Sequence, residues 1–91
     1  GAKNVIVTLG SKGALIVNKE TSTQVDTFKV NVVDTTAAGD AFIGGFASVL
    51  DSSSLLDAVR YGCACGALAT TKFGAQPSLP TNEEVEKIIN T

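Results

Sequence analysis

The sequence has no methionine, only two cysteines and no long apolar run. Without an initiator, and with an apolar run opening shortly after Gly1, the chain is expected to be part of a longer protein; a processed small domain is the alternative. No run reaches the roughly 18 apolar residues of a membrane span, and no charged start precedes a short apolar stretch as in a signal peptide. A soluble, cytoplasmic protein with no membrane partner is therefore expected.

Positive charge is also sparse. Seven Lys and Arg residues stand against nine Asp and Glu residues, which gives a net charge of −2. The basic residues are scattered along the chain, whereas a nucleic-acid backbone attracts clustered ones. Nucleic acid is therefore not an expected partner.

The two cysteines, Cys63 and Cys65, are separated by one residue in a predicted helix. Side chains at such positions point in well-separated directions, so a shared metal ion or a disulfide is not expected. The pair is interpreted as two small, buried, apolar residues.

The remaining pattern predicts a single α/β unit. The composition, 44% hydrophobic over 91 residues, is more apolar than a small free-standing domain needs, so some apolar surface is expected to meet a partner. The first strand is expected to be buried on both faces and the first helix on most sides. Short β-branched runs and longer periodic runs predict strands at 4–9, 14–18 and 23–28 and helices at about 38–50, 55–70 and 82–90.

Local signals support the helices. Ser54 with Asp57, and Thr81 with Glu84, have the spacing of capping boxes. Gly44 and Gly45 are unfavourable inside the first helix, so another backbone is expected to approach it closely.

The segment Asp34 to Asp40, DTTAAGD, marks the passage from an extended stretch into the first helix. Small residues before a helix leave backbone N–H groups bare, and these groups with the helix dipole attract anionic oxygens. A carboxylate beside them can take a proton from an attacking hydroxyl, so the pair suits phosphoryl transfer. Asp at a helix start is more often a simple cap, and on these residues alone that alternative stays open.

The order of residues in DTTAAGD resembles the second signature of the ribokinase family, the PfkB carbohydrate kinases, which runs Asp-Thr-x-Gly/Ala-Ala-Gly-Asp. The match is complete. The resemblance implies that the backbone amides of Ala37, Ala38 and Gly39 form an anion hole over the transferring phosphate. It also implies that Asp40 is the catalytic base on the sugar hydroxyl.

A second stretch, Thr8 to Gly13 (TLGSKG), would alone be a hairpin turn. In the family the similar segment lies against ATP. The resemblance therefore implies a nucleotide site that also includes residues of the first and second helices: Thr8, Leu9, Gly10, Ser11, Lys12, Gly13, Gly39, Asp40 and Cys63. At Cys63 relatives often carry asparagine or histidine near the adenine, so this contact departs from the family pattern.

The loop 73–78, FGAQPS, resembles a family segment that helps to hold a monovalent cation, usually potassium, beside the anion hole. Hard cations prefer oxygen ligands, and a bound charge would fix the geometry of the hole. Carried over by position, the ligands would come from Asp34, Thr36, Ala69, Lys72, Gly74 and Ser78. Magnesium would accompany ATP and draw on residues upstream of Gly1.

The resemblance implies a ribokinase-like, Rossmann-like three-layer fold, of which residues 1–91 are the carboxy-terminal ATP-binding part. The amino-terminal sugar-binding part and the lid would be its partners in the same protein, and a homodimer is left open. The expected activity is ATP-dependent phosphorylation of the 5-hydroxyl of D-ribose. Another carbohydrate or nucleoside kinase of the family is the alternative, and the isolated chain is expected to be an inactive nucleotide-binding or structural module.

A dinucleotide-binding oxidoreductase is disfavoured. Its G-x-G-x-x-G fingerprint should open a helix directly after the first strand. Gly10 and Gly13 instead precede a second strand-like run.

Overall fold

The computed structural model of the chain describes residues 4–71 and 80–90, with Ser11 described by its backbone alone. All the predicted strands and helices are present, and their ends differ from the predicted ones by at most three residues. The elements, in chain order, are β1 (Asn4–Thr8), a 3-10 turn (Gly10–Lys12), β2 (Ala14–Asn18), β3 (Ser22–Val25), α1 (Ala38–Val49), α2 (Leu55–Ala69) and α3 (Asn82–Ile89).

The strands form an antiparallel meander in the order β1-β2-β3. One face of this sheet carries Ala14, Ile16 and Val25, which are buried against α1 and α2. Gly13 makes the sharp entry into β2 possible, because its φ is 93° and a Cβ atom there would lie 2.0 Å from the Val25 carbonyl oxygen. Only glycine accepts both conditions.

The prediction that the first strand is buried on both faces is wrong for the described chain. Val5 and Val7 of β1 are 52% and 43% exposed. They pair with Val17 and Leu15 on the sheet face opposite the buried residues. The described helices pack on the other face alone, so Val5 and Val7 are exposed and Leu15 and Val17 are only half-buried.

The first helix is buried along one face rather than around most of its circumference. Ala41, Phe42 and Gly45 are buried in α1, whereas Ile43 is 62% exposed and Leu50 41% exposed. A helix places only part of its circumference against a neighbour, and here that neighbour is α2.

Small residues allow α1 and α2 to approach closely. A Cβ atom at Gly62 would lie 3.0 Å from the Phe42 carbonyl oxygen. A Cβ atom at Gly45 would lie 2.4 Å from Cys65 Sγ. The close approach predicted at Gly45 is therefore real, but the neighbour is a cysteine side chain rather than a backbone.

The last two helices begin at capped residues. The Ser54 hydroxyl accepts a hydrogen bond from the Asp57 amide at 3.1 Å, which is half of the predicted capping box. The Thr81 and Glu84 side chains form the complete box at α3. Within the described residues, no helix has the length and hydropathy that a bilayer span requires.

Candidate active site

A cavity of about 600 Å³ opens where the β1–β2 turn, the segment after β3 and the start of α1 meet α2. Gly10 and Gly39 both line this cavity, and a Cβ atom built at either one would have no described atom within 4 Å apart from its chain neighbours and, at Gly39, the backbone of its own helix. Open space therefore lies beside the backbone at both Gly10 and Gly39. Its lining comprises Thr8, Gly10, Gly13, Thr27, Phe28, Lys29, Val30, Val32, Thr35, Ala38, Gly39, Phe42, Cys63, Gly66, Ala67 and Thr70.

The start of α1 faces this cavity without a side-chain cap. Its N-cap residue is Ala37, with φ −100° and ψ 6°, and no side chain accepts a hydrogen bond there among the described residues. The Ala38 amide donates to the Thr35 carbonyl oxygen at 3.2 Å. Gly39, the next residue, lines the cavity. The positive end of the helix dipole is therefore directed to a region with open space.

The segment before α1 is fixed at the end of α2. The Thr70 carbonyl oxygen accepts hydrogen bonds from the Val33 amide at 2.6 Å and the Asp34 amide at 3.0 Å. The Asp34 carboxylate in turn accepts hydrogen bonds from the Thr36 amide, at 2.8 Å, and from the Thr36 hydroxyl. Asp34 and Thr36 are thus brought beside the end of α2, where Ala69 is also located.

The acidic residue predicted as the base, Asp40, lies in the first turn of α1 and is exposed. It follows Gly39 directly but does not itself line the described cavity. Its carboxylate is therefore accessible to a molecule that approaches from solvent at the start of the helix.

Cys63 lies on the α2 wall of the cavity and is 4% exposed. Burial raises the pKa of this thiol, and that of Cys65, to about 11. Both thiols therefore stay protonated near neutral pH, and both cysteines are buried, as predicted. Cys63 offers the cavity a small, weakly polar surface.

The structure brings together one set of the predicted residues. Thr8, Gly10, Gly13, Ala38, Gly39 and Cys63 line the single cavity described above. Leu9, Lys12, Ala37 and Asp40 adjoin it in sequence without being part of its lining. The predicted cation ligands Lys72, Gly74 and Ser78, and the side chain of Ser11, lie outside the described residues.

Sequence reasoning missed the segment that follows β3. Thr27, Phe28, Lys29, Val30 and Val32 supply almost a third of the cavity lining. They belong to no helix or strand, although the predicted third strand included Thr27 and Phe28, and no motif marks them. The signal that could have found them is Gly13, whose conformation allows the chain after Val25 to pass close beside it.

Over residues 4–71 and 80–90, no group of three His, Cys, Asp or Glu side chains has a metal-binding arrangement. A cation held mainly by carbonyl and hydroxyl oxygens is a different kind of site. Asp34 and Thr36 are described residues whose side chains offer such oxygens beside α2, and the hydroxyls of Thr70 and Thr71 also lie at the end of that helix.

The start of α1 lies within the motif DTTAAGD, and an uncapped helix start over a cavity is an arrangement that can bind anionic oxygens. The model of the pfkB family of carbohydrate kinases matches residues 1–82, and the chain belongs to that family.

Relatives of this chain include ribokinases and a fructokinase. It is 44% identical over 90 residues to the ribokinase of Staphylococcus aureus (strain COL), which covers 97% of this chain and 30% of that protein. The crystal structure of Thermotoga maritima ribokinase is 50% identical, with a TM-score of 0.92, over 100% of this chain and 31% of that one.

The structure of a fructokinase double mutant from Vibrio cholerae O395, in a form with fructose, ADP and potassium ion bound, is 39% identical. Its TM-score is 0.85, over 94% of this chain and 30% of that one. The chain thus spans just under a third of the length of each of these proteins.

Proposed function

We propose that this chain is the nucleotide-binding part of an ATP-dependent sugar kinase that phosphorylates the 5-hydroxyl of D-ribose. The observation that carries the proposal is the uncapped start of α1, which lies over a cavity of about 600 Å³ and in which the exposed Asp40 directly follows the lining residue Gly39. Phosphoryl transfer requires stabilised charge on the transferring group and an oriented nucleophile beside a base.

ATP would occupy the cavity, with its phosphates directed to the start of α1. Gly10 and Gly39 leave room for phosphates to approach the backbone, and the helix dipole favours their negative charge. The backbone amides of Ala37, Ala38 and Gly39 would form the anion hole. The Ala38 amide would share its hydrogen bond to Thr35 with the phosphate, which weakens its share of the hole.

Asp40 would act on the acceptor rather than on the nucleotide, which is why it need not line the cavity. Its carboxylate would accept the proton of the sugar hydroxyl while the hydroxyl oxygen bonds to the γ-phosphorus of ATP and the bond to the β–γ bridging oxygen breaks. ADP leaves with that oxygen. The exposure of Asp40 on the solvent side of the helix start supports this direction of attack.

Two cations would serve this reaction. Potassium would bind near Asp34, Thr36 and Ala69, with Lys72, Gly74 and Ser78 as the remaining predicted ligands, and would fix the geometry of the anion hole. The potassium ion bound in the Vibrio cholerae fructokinase structure supports this assignment. Magnesium would accompany ATP and neutralise charge on its phosphates.

Ribose is favoured over fructose because ribokinases from Staphylococcus aureus and Thermotoga maritima are 44% and 50% identical to this chain. Fructokinases at 39% and 42% identity make fructose the second candidate, and a nucleoside is the third. The sugar pocket of this kinase would lie outside residues 1–91.

The test is a phosphorylation assay of the complete protein with ATP and a matched panel of ribose, fructose and nucleosides. Turnover is expected to be highest with ribose and higher in potassium than in sodium. Turnover with fructose alone would contradict the ribose assignment, and indifference to the cation would contradict the potassium site. Absence of phosphoryl transfer to every acceptor would contradict the kinase proposal.

The isolated chain of 91 residues is proposed to bind nucleotide without turnover, because it has no residues to position the sugar. The exposed valines of β1 support the need for further covering chain. Calorimetric titration of the isolated chain with ATP tests this point, and measurable sugar phosphorylation by it would be the contradicting result.

A further inference from the structure

Phe28 occupies a junction in the molecule. Phe28 is one of the residues that line the cavity, and it also packs against both buried clusters, the one around Phe42 and Val59 and the one around Ala64 and Val85. It belongs to the segment between β3 and α1, which forms no helix or strand. The orientation of its ring therefore depends on side-chain contacts rather than on backbone hydrogen bonds of a regular element.

Arg60 supplies one of those contacts from outside the cavity. Its guanidinium carbon lies over the Phe28 ring, 5.6 Å from the ring centroid, within the range of a cation–π interaction. Arg60 is exposed on α2 and does not line the cavity. The same ring is thus bounded by a buried core, an arginine and the open cavity.

We propose that Arg60 is a positioning residue for nucleotide binding, which acts by holding the Phe28 ring as a wall of the cavity. The proposal rests on the proposed function, because it takes the cavity to be the ATP site. Arg60 itself does not touch the nucleotide.

The size of the effect follows from the strength of the contact. An exposed cation–π pair is weak, and when it is lost the fraction of molecules with a correctly oriented wall falls by at most about 2- to 5-fold. Because apparent affinity scales with that fraction, KM and Kd for ATP should rise by about the same factor. The KM for the sugar and kcat should stay unchanged, since neither depends on this wall.

The experiment compares Arg60→Gln, Arg60→Lys and Lys19→Gln in the complete kinase, with KM for each substrate, kcat, and Kd for ATP by calorimetry. Lys19→Gln is the matched control, because Lys19 is an exposed cation in the β2–β3 turn. Arg60→Gln should raise KM for ATP, whereas Arg60→Lys should restore it, because an ammonium group also interacts with an aromatic ring. The control should leave both constants unchanged.

A second arm separates a held ring from a direct attraction between Arg60 and the phosphates. Phe28→Leu should raise KM for ATP, and adding Arg60→Gln to it should cause no further rise. An unchanged KM in Arg60→Gln, or the same rise with and without the Phe28 ring, would overturn the inference while leaving the kinase assignment intact. A complete protein that neither binds ATP nor phosphorylates a sugar would contradict the proposed function, and this inference with it.

Discussion

The start of α1 differs from the starts of α2 and α3 in both side chain and backbone. Ser54 and Thr81 cap their helices in extended backbone conformations, with ψ of 160° and 157°. Ala37 has no hydroxyl or carboxylate that could accept a hydrogen bond from a backbone amide, and its ψ of 6° lies far from the extended conformation. In α2 and α3, the side chain of the N-cap residue thus accepts a hydrogen bond from an amide of the first turn. In α1, the side chain of Ala37 cannot accept such a bond, so a different group must do so.

The acidic residues of the first turns show the same difference. Glu84 of α3 accepts a hydrogen bond from the Thr81 amide at 3.0 Å and so completes a capping box. Asp40 of α1 has no such role at Ala37 in the described structure. A carboxylate that is not needed for capping is available for chemistry. Substitutions of Asp40 and of Glu84 can test this difference.

The largest expected effect is at Asp40. Asp40→Asn in the complete kinase should lower kcat by at least about 100-fold, as for loss of a general base. The Kd for ATP should remain nearly constant, because the side chain does not line the cavity. Steady-state kinetics and calorimetric ATP titration give the two values.

Glu84→Gln is the matched change at the capped helix, and it should leave kcat within about 2-fold, since a glutamine side chain retains the capping acceptor. Equal losses of turnover in the two variants would remove the distinction between the two acidic residues.

Alanine substitutions at two glycines of α1 should separate an effect on helix packing from an effect on the space available to a ligand. Gly45→Ala should lower the free energy of unfolding by about 1–3 kcal/mol, because its Cβ atom meets Cys65 Sγ in a close-packed interface. Gly39→Ala should leave stability unchanged or raised by up to about 1 kcal/mol, yet weaken ATP binding by filling the cavity. Urea denaturation and ATP titration of both variants are the measurements. Undiminished ATP affinity in Gly39→Ala would contradict the nucleotide assignment of the cavity.

The caps of α2 and α3 should be worth less. Ser54→Ala and Thr81→Ala should each cost about 1 kcal/mol of unfolding free energy, the usual loss for an N-cap hydroxyl. Neither should change KM for ATP, because neither residue lines the cavity. Denaturation midpoints give the change in stability, and steady-state kinetics give the KM for ATP of each variant. A substantial change of KM in either one would contradict the assignment of nucleotide binding to the start of α1 alone.

The smallest expected effect is at Ala37. A serine there would normally add about 1 kcal/mol as a cap. Because the backbone at position 37 is not in the extended conformation that a capping serine uses, Ala37→Ser should change the unfolding free energy by no more than about 0.3 kcal/mol. A gain near the full value, measured by urea denaturation, would show that α1 lacks a cap only because of its side chain.

The helices could be predicted closely because residues near each end of a helix determine where it begins and ends. Thr81 with Glu84 specifies the beginning of α3, and the structure contains that capping box. The fold class followed from strand length and turn spacing, and it is confirmed by the three antiparallel strands and three helices. Burial was predicted less well, since Val5 and Ile43 are apolar in sequence yet exposed in the fold.

The cavity could be predicted only in part. Gly10, Gly39 and Cys63 were found through their motifs or their place in α2, and all three line it. Phe28 and Thr70 were not found, because their place in the lining depends on how the segment after β3 crosses the end of α2, which is a tertiary contact. The role of Asp40 remains a prediction.

The carbonyl group of Thr70 has a further chemical consequence. A carbonyl oxygen has two lone pairs, and this one already receives the amides of both Val33 and Asp34. It is therefore saturated as an electron-pair donor and has none left for a metal ion. The Thr70 carbonyl therefore fixes the segment before α1 to the end of α2, and an ion bound there would have to use other oxygens.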